Sequence, residues 1–338
     1  MDFRKNIKIY IFLSFAFAFL TLLLFIAKAS NLNSNLFLDT GIIADYGTIV
    51  CGVLSTFFGF LSILLVIQSL NEQEKQNELQ NIEARFFELL KIQRENVQEF
   101  QQKGKTGRRV AVDMFDELDN LYIEIKHWYS LSDSGIQNEN EWKFRSAQIA
   151  YLILFFGFGK NSRNHVKSEI KKIIANDEAY NELNREFLKK EIREYDRQKE
   201  NNQTLTRATR KYLNHDGNQS RLGHYFRHLY QTAKFIDNQP SRLLSYENKY
   251  FYLKTLRAQL SNYEQAIFFY NSLTYLGANW EFSVNDTNNQ LITKYNLIKN
   301  IPQGFTSDLN PKIYFPNVFF EYDFEKTERR IELEKHYS

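Results

Sequence analysis

The sequence predicts an all-α protein: an N-terminal two-helix transmembrane hairpin, a long stalk helix, and a cytosolic helical domain. Three observations lead there. The chain's charged residues are split very unevenly: the first seventy positions hold only Asp2, Arg4, Lys5, Lys8, Lys28, Asp39 and Asp45, while the other 76 lie in the remaining 268. Apolar residues beyond that point recur in steps of three and four, the period of one helical face. Glycine and proline are scarce, 13 and 4 in 338 residues, and aromatics make up 16%, which suits long helices with bulky cores better than many short strands joined by turns.

The elements follow in order. Ile9–Ala27 is uncharged over nineteen residues, close to the roughly 20 that cross a bilayer as a helix. Arg4, Lys5 and Lys8 before it also suit a signal peptide. Against that reading, the run is longer than a usual signal core, no small-x-small cleavage site follows, and a second span comes soon after. That span is Tyr46–Leu70, again without charge. The basic residues ahead of the first span place the N-terminus in the cytosol, residues 31–45 outside, and the chain back in the cytosol near Asn71. Both termini are therefore expected in the cytosol of a bacterial cell, with the protein in its inner membrane. Gly47, Cys51, Ser55 and Gly59 form a small-residue ridge, the kind that lets helices pack closely in lipid, either against the first span or between copies in a homo-oligomer. Cys51 is the chain's one cysteine, which excludes disulfide frameworks and cysteine-built zinc sites.

Past the second span the pattern continues without a breaker over residues 68–102, through Leu79, Ile82, Phe86, Leu89, Gln93, Val97 and Phe100. Residues 71–103 read as the stalk, ended by Lys103–Gly107. Residues 104–301 read as the helical domain. Its helices are expected over Arg108–Ser130, with Val112, Phe115, Leu118, Tyr122 and Ile125 inward, and over Glu141–Phe158. The latter contains AYLILFFGF, too short to span a bilayer; it reads as a core helix, with contact to one membrane face as the alternative. A polar stretch, Ser132–Asn140, separates the two. Residues 160–213 are rich in charge and read as one or two solvated helices or an insertion, followed by a loop at Asn214–Gln219. Two further helices are expected over Leu222–Asp237 and Tyr250–Leu273, and a last one over Gln290–Lys299. In the final segment, 302–338, Pro302, Pro311 and Pro316 mark irregular structure. There Ile313–Tyr322 is a candidate strand or clamp, and the charged Lys326–Ser338 either frays or ends as a helix.

Beyond residue 70 the charges nearly balance, 39 basic against 37 acidic, so overall basicity gives no argument for nucleic acid. No phosphate-binding glycine loop, dinucleotide fingerprint, serine elbow or paired-cysteine metal motif is present. Common nucleotide hydrolases and hydride-transfer enzymes are thereby excluded, and no cofactor or metal is implied.

The candidate site lies in the two helices after the loop. Tyr225, Leu229, Thr232 and Ile236 share one face of the first; Leu253, Leu256, Leu260, Tyr263 and Ile267 share one face of the second. His224, Arg227, His228, Arg257, Gln259, Ser261, Asn262, Glu264 and Asn271 are threaded among them. A buried charge costs several kcal/mol unless paired, so these residues read as a polar network, with Arg227 bridging Glu264, or as a ligand pocket. Arg257, Ser261, Glu264 and Asn271 share a stripe if the second segment is one continuous helix. His224 and His228 stand at a metal-pair spacing, with Glu264 as the obvious third ligand, but hydrogen-bonded histidines among aromatics explain the pair without a metal.

YFRHLYQTAKFID (225–237) followed by LRAQLSNYEQAIFFYN (256–271) resembles the signature pair of the AbiC-like putative phage abortive infection protein family. FFELLKIQREN (86–96) and GRR (107–109) resemble its earlier blocks, in the same order. The resemblance spans residues 82–301, and it implies phage defence by arresting or killing the infected cell. The favoured version is a membrane-anchored sensor-effector, triggered by a phage protein and acting through oligomerised hairpins. Arg221 seven residues before His228 also resembles the loose arginine–histidine signature of HEPN ribonucleases, in which the pair would activate a ribose hydroxyl and stabilise the phosphate. In that alternative Arg221, Arg227 and His228 are the catalytic candidates and RNA is the partner. A third reading is a non-catalytic membrane scaffold.

Overall fold

A computed structural model describes residues 40–102, 104–131, 138–174, 176–200, 217–282 and 289–337, together with Phe12, Ala16, Phe19, Leu20 and Leu23. The chain is all-helical and divides into two compact units, Met1–Asn81 and Ile82–Ser338. The first expected span, Ile9–Ala27, lies outside the described residues apart from the five positions just named. Those five are helical and exposed.

Apart from those five positions, the described chain of the first unit is the N-terminal part of one helix, α1 (Thr40–Gln98). From Gly47 onward this helix is long and apolar enough to cross a membrane, and none of its most apolar 18-residue stretch is buried. Ile49, Phe60, Ile63, Val66 and Leu70 all face outward. Its hydroxyls need no external partner: Thr48, Thr56 and Ser62 donate to the carbonyls of Ala44, Gly52 and Phe58, four residues back. Such back-bonding leaves an apolar surface free of unsatisfied donors. Gly47, Cys51, Ser55 and Gly59 are exposed, and a Cβ on Gly47 or Gly59 would meet nothing within 4 Å.

In the second unit, α1 continues to Gln98, four residues short of the expected end. A two-residue hairpin, β1 (Gln101–Gln102) and β2 (Lys105–Thr106), turns the chain where Gly104 and Gly107 both take positive φ. The hairpin feeds α2 (Arg108–Leu131) and α3 (Glu139–Phe156). Every residue of α3 from Ile149 to Phe156 is buried. An all-round apolar helix of this length belongs in the middle of a core.

The charged stretch that follows is not simply solvated. It forms α4 (Arg163–Ile174), α5 (Asp177–Leu183), a π turn at Asn184–Leu188 and α6 (Lys189–Glu200). Val166, Ile170, Ile174, Leu183 and Leu188 are buried, so the segment is amphipathic and packs through one stripe.

At Gly217 (φ +82°) the chain comes hard against the end of α3, and a Cβ there would lie 2.4 Å from the carbonyl of Phe156. Asn218 then donates its backbone N–H to Phe155 and its side-chain amide to Leu154. This close approach docks α7 (Gln219–Asp237) onto α3. Leu222, Tyr225, Phe226, Leu229, Thr232, Ala233 and Ile236 are buried along α7, the face its spacing predicts.

The expected helix Tyr250–Leu273 is two helices, α8 (Tyr246–Arg257) and α9 (Asn262–Ser272). The break has a local cause. Ser261 takes an extended conformation and caps α9 in a full capping box with Glu264, satisfying donors that a continuous helix would bond internally. Every residue of α9 from Glu264 to Ser272 is buried, so α3 and α9 form the centre of the unit.

The remaining chain departs furthest from expectation. The helix expected over Gln290–Lys299 is only α10 (Leu291–Tyr295), because Asn296 turns left-handed at φ 52°. Asn296 then accepts from the Phe319 backbone N–H and donates to Tyr250. Ile313–Tyr322 forms no strand among its described residues; Asn310 caps a short helix, α11 (Pro311–Tyr314), and turns follow. A terminal helix, α12 (Glu328–Tyr337), is fixed by Arg330, 1% exposed, which bonds the carbonyls of Thr293, Asn317 and Lys294.

Candidate functional site

The break between α8 and α9 places Glu264 at the start of a helix whose remaining residues are buried. Its side chain is 2% exposed. Oε1 accepts from the Tyr225 hydroxyl at 3.0 Å, while Oε2 accepts from the Ser261 backbone N–H at 2.8 Å and from the Ser261 hydroxyl at 2.6 Å. Burial, then the charge and hydrogen bond of Glu264, push the Tyr225 hydroxyl far above its ordinary range, so it stays a donor. Arg108, the first residue of α2, donates to the Gln259 carbonyl at 2.9 Å and brings its Nε to 3.9 Å from Glu264. Arg108 is 61% exposed, so this contact is a screened one.

One turn along α7 from Tyr225, the His228 Nδ1 lies 3.0 Å from the Oε1 of Gln93 on α1. An amide oxygen only accepts, so Nδ1 carries the proton and Nε2 is bare. That Nε2 is buried and finds no partner among the described residues, nor does Nε2 of Gln93. Burial, then the nearby His224, hold the His228 pKa below its ordinary value. A cavity of about 220 Å³ opens beside this network, lined by Gln93, Arg94, Arg108, Gln259 and Glu264.

The remaining expected site residues fall elsewhere. Arg227 is exposed and does not bridge Glu264. Two residues turn an α-helix by about 200°, so Tyr225 faces Glu264 and Arg227 points away. Arg257 is buried but donates to the Asn296 carbonyl at 2.9 Å; the break before Ser261 separates it from Glu264. Asn262 and His224 are exposed. Asn271, at the far end of α9, donates to the Tyr151 hydroxyl at 2.8 Å. It lines a second cavity of about 250 Å³, together with Phe155, Phe226, Arg227, Tyr230 and Trp280.

The arrangement bears on each proposed chemistry. Arg221 donates to Asn218 on its own helix at 3.1 Å, and His228 lies two turns further on, a rise of about 10 Å. Among the described residues no group of three or more histidine, cysteine, aspartate and glutamate side chains is placed to hold a metal ion, and the Glu264 oxygens are taken by Tyr225 and Ser261. The network instead joins three separate stretches: α1 through Gln93, the β2–α2 junction through Arg108, and the α7–α9 region. A second link runs from α1 to α8, where the Tyr252 hydroxyl donates to Glu83 at 2.9 Å and the Tyr252 ring meets Phe86 edge-on. Sequence reasoning missed Tyr225 as the partner of Glu264. It also missed the Ser-x-x-Glu capping signature at Ser261–Glu264, which was there to be read.

All but Gln93 and Arg108 of the network's side chains lie in one stretch of sequence. Residues 217–306 match the model of the family described as Putative phage abortive infection protein. The match suggests a phage abortive infection role. No curated protein and no solved structure matches the chain. The matched segment runs from the glycine that docks α7, through α8, α9 and α10, to Thr306. It therefore supplies Tyr225, His228, Gln259, Ser261 and Glu264, and it nearly encloses the second cavity, to which only Phe155 comes from outside.

Proposed function

We propose that this protein is a bacterial anti-phage defence protein of the abortive-infection type, anchored in the inner membrane as a sensor-effector. One observation carries the reading. The segment that matches the abortive infection family is hydrogen-bonded, through His228–Gln93 and Tyr252–Glu83, to the same helix whose earlier turns are apolar and exposed. In this account a two-span hairpin over residues 1–70 holds the protein in the bilayer, with both termini cytosolic and residues 71–103 as a stalk. A phage protein binds the helical part, shifts its packing on α1, and copies of the hairpin associate through Gly47, Cys51, Ser55 and Gly59 to compromise the membrane. Differential affinity of the trigger for two packings is all that such a switch requires.

The test is a membrane-potential dye in cells challenged with phage. Cells carrying the wild-type protein should depolarise before the phage would lyse them, with total RNA intact. Gly59→Leu, which blocks close helix approach, should abolish depolarisation at unchanged protein level. Cleaved RNA in cells that stay polarised, lost on His228→Ala, would overturn this reading in favour of the ribonuclease.

A further inference from the structure

The turn ahead of α12 holds out the barest apolar side chain of the second unit. Asp323 clasps that turn: its carboxylate accepts from the Phe320 backbone N–H at 3.0 Å and from Lys312, and its own backbone N–H donates to the Phe320 carbonyl. The Phe320 and Tyr322 rings stack at 5.3 Å. Phe324 follows and is fully exposed; the next most exposed large apolar side chain described in this unit, Phe282, shows 71%. A lone exposed apolar residue needs no explanation by itself. Here the backbone leading to it is already fixed, so inserting the side chain elsewhere costs little further ordering.

We propose that Phe324 is a peg for the second cavity of another copy of this chain. The cavity offers about 250 Å³, and one of roughly 150 Å³ lined by aliphatic and aromatic side chains already takes benzene. Leu222, Phe226, Leu276 and Trp280 supply apolar wall, and no lining residue is acidic. A phenyl ring fills such a space through contact with side-chain edges and aliphatic carbons, with no hydrogen bond and no free ring face required. The charges agree. Glu325, next to the peg, is exposed and has no cationic partner among the described residues; Arg227, at the rim of the cavity, is exposed and has no acidic one. Seating Phe324 brings these two together at the edge, where opposite charges fix partner and register more than affinity. Gly223 lines the same space, and a Cβ there would meet the Phe155 ring at 3.5 Å, an ordinary contact, so a leucine at 223 fills the hole from within its own chain. Peg and hole are different surfaces of one chain, so every copy gives one contact and takes one.

A contact this small is a weak one. It is separate from the small-residue ridge of the hairpin, so its failure would leave the defence reading standing. The experiment is sedimentation velocity of the full-length protein in detergent, with Gly59→Leu run alongside to remove association through the hairpin. Both proteins should self-associate with Kd on the order of 10–100 μM. Phe324→Asp, at a fully exposed position, should weaken this about tenfold while melting like wild type, and Gly223→Leu should do the same from the other side. Arg227→Glu and Glu325→Arg should each weaken it about fivefold, and the two in one chain should restore it. In a Cys51→Ser background, mild oxidation of an equal mixture of Arg227→Cys and Glu325→Cys proteins should give a covalent dimer that neither gives alone. A protein that stays monomeric at about 300 μM would overturn the proposal, as would self-association untouched by Phe324→Asp or a charge swap that restores nothing. Phage defence lost with Gly223→Leu yet intact with Phe324→Asp would assign the cavity to a different occupant and overturn it as well.

Discussion

Replacing Glu264 by alanine should lower the melting temperature of the unit Ile82–Ser338. Three donors lose their acceptor at once: the Tyr225 hydroxyl, the Ser261 backbone N–H and the Ser261 hydroxyl. Ser261 is half-buried and water can serve it, but Tyr225 is 2% exposed. An orphaned buried hydroxyl costs about 1–3 kcal/mol, and loss of the Glu264 half of the α9 capping box, with the Ser261 hydroxyl still capping the residue-264 N–H, adds about 1 kcal/mol. The total, about 2–4 kcal/mol, overlaps the 3–5 typical of a broken buried charge pair. For a unit of some 250 residues each kcal/mol moves the melting temperature by about 2–4 °C, so a fall of about 10 °C is expected. The assay is thermal unfolding of the solubilised full-length protein, run as a cycle with Tyr225→Phe. Once Tyr225 has no hydroxyl to orphan, Glu264→Ala should cost visibly less, giving a coupling of about 1–3 kcal/mol. A Glu264→Ala protein that melts within about 1 °C of wild type would refute a structural role, and if it had also lost defence, Glu264 would belong to a functional site.

Three further outcomes are expected. The His228 pKa is depressed in the folded state, so its contribution to stability is complete above the ordinary value of 6.5 and is lost as pH falls through the lower folded value. Melting temperature should therefore drop on acidification below neutrality, and His228→Gln should flatten that limb. Gly217→Ala, which forces a Cβ into the Phe156 carbonyl at a positive φ, should cost about 3 kcal/mol and be seen as loss of folded protein by circular dichroism. For topology, a reporter active only in the cytosol should work when fused after Ser338, and one active only in the periplasm should work when inserted at Asn33; the reverse at both sites would contradict the two-span orientation.

Much of this fold is legible in the sequence because periodicity survives burial. Tyr225, Leu229, Thr232 and Ile236 announce the buried face of α7, and AYLILFFGF announces the central α3. Reading failed where a local cap competed with that pattern. The apolar steps from Leu253 to Ile267 run straight through Ser261, so the capping box was overlooked and two helices read as one. The Arg227–Glu264 bridge failed for a related reason: charge complementarity chose the partners, whereas helical phase gives that position to Tyr225. From Gln290 onward the chain is shaped by single residues, such as the left-handed Asn296 and the buried Arg330, whose partners lie far away in sequence. No window of periodicity reports such contacts. The charged stretch around α4 to α6 looked solvated because density of charge hides a narrow apolar stripe through Val166, Ile170 and Ile174.

The central claim is that this protein sacrifices the infected cell, and infection at two multiplicities tests it most directly. Across a phage panel, cells expressing the full-length protein should survive as a culture when few are infected. When every cell is infected they should arrest or die while releasing far fewer phage than cells without the protein. Normal phage yield and plaque formation across the panel would contradict the account, and so would infected cells that recover and divide.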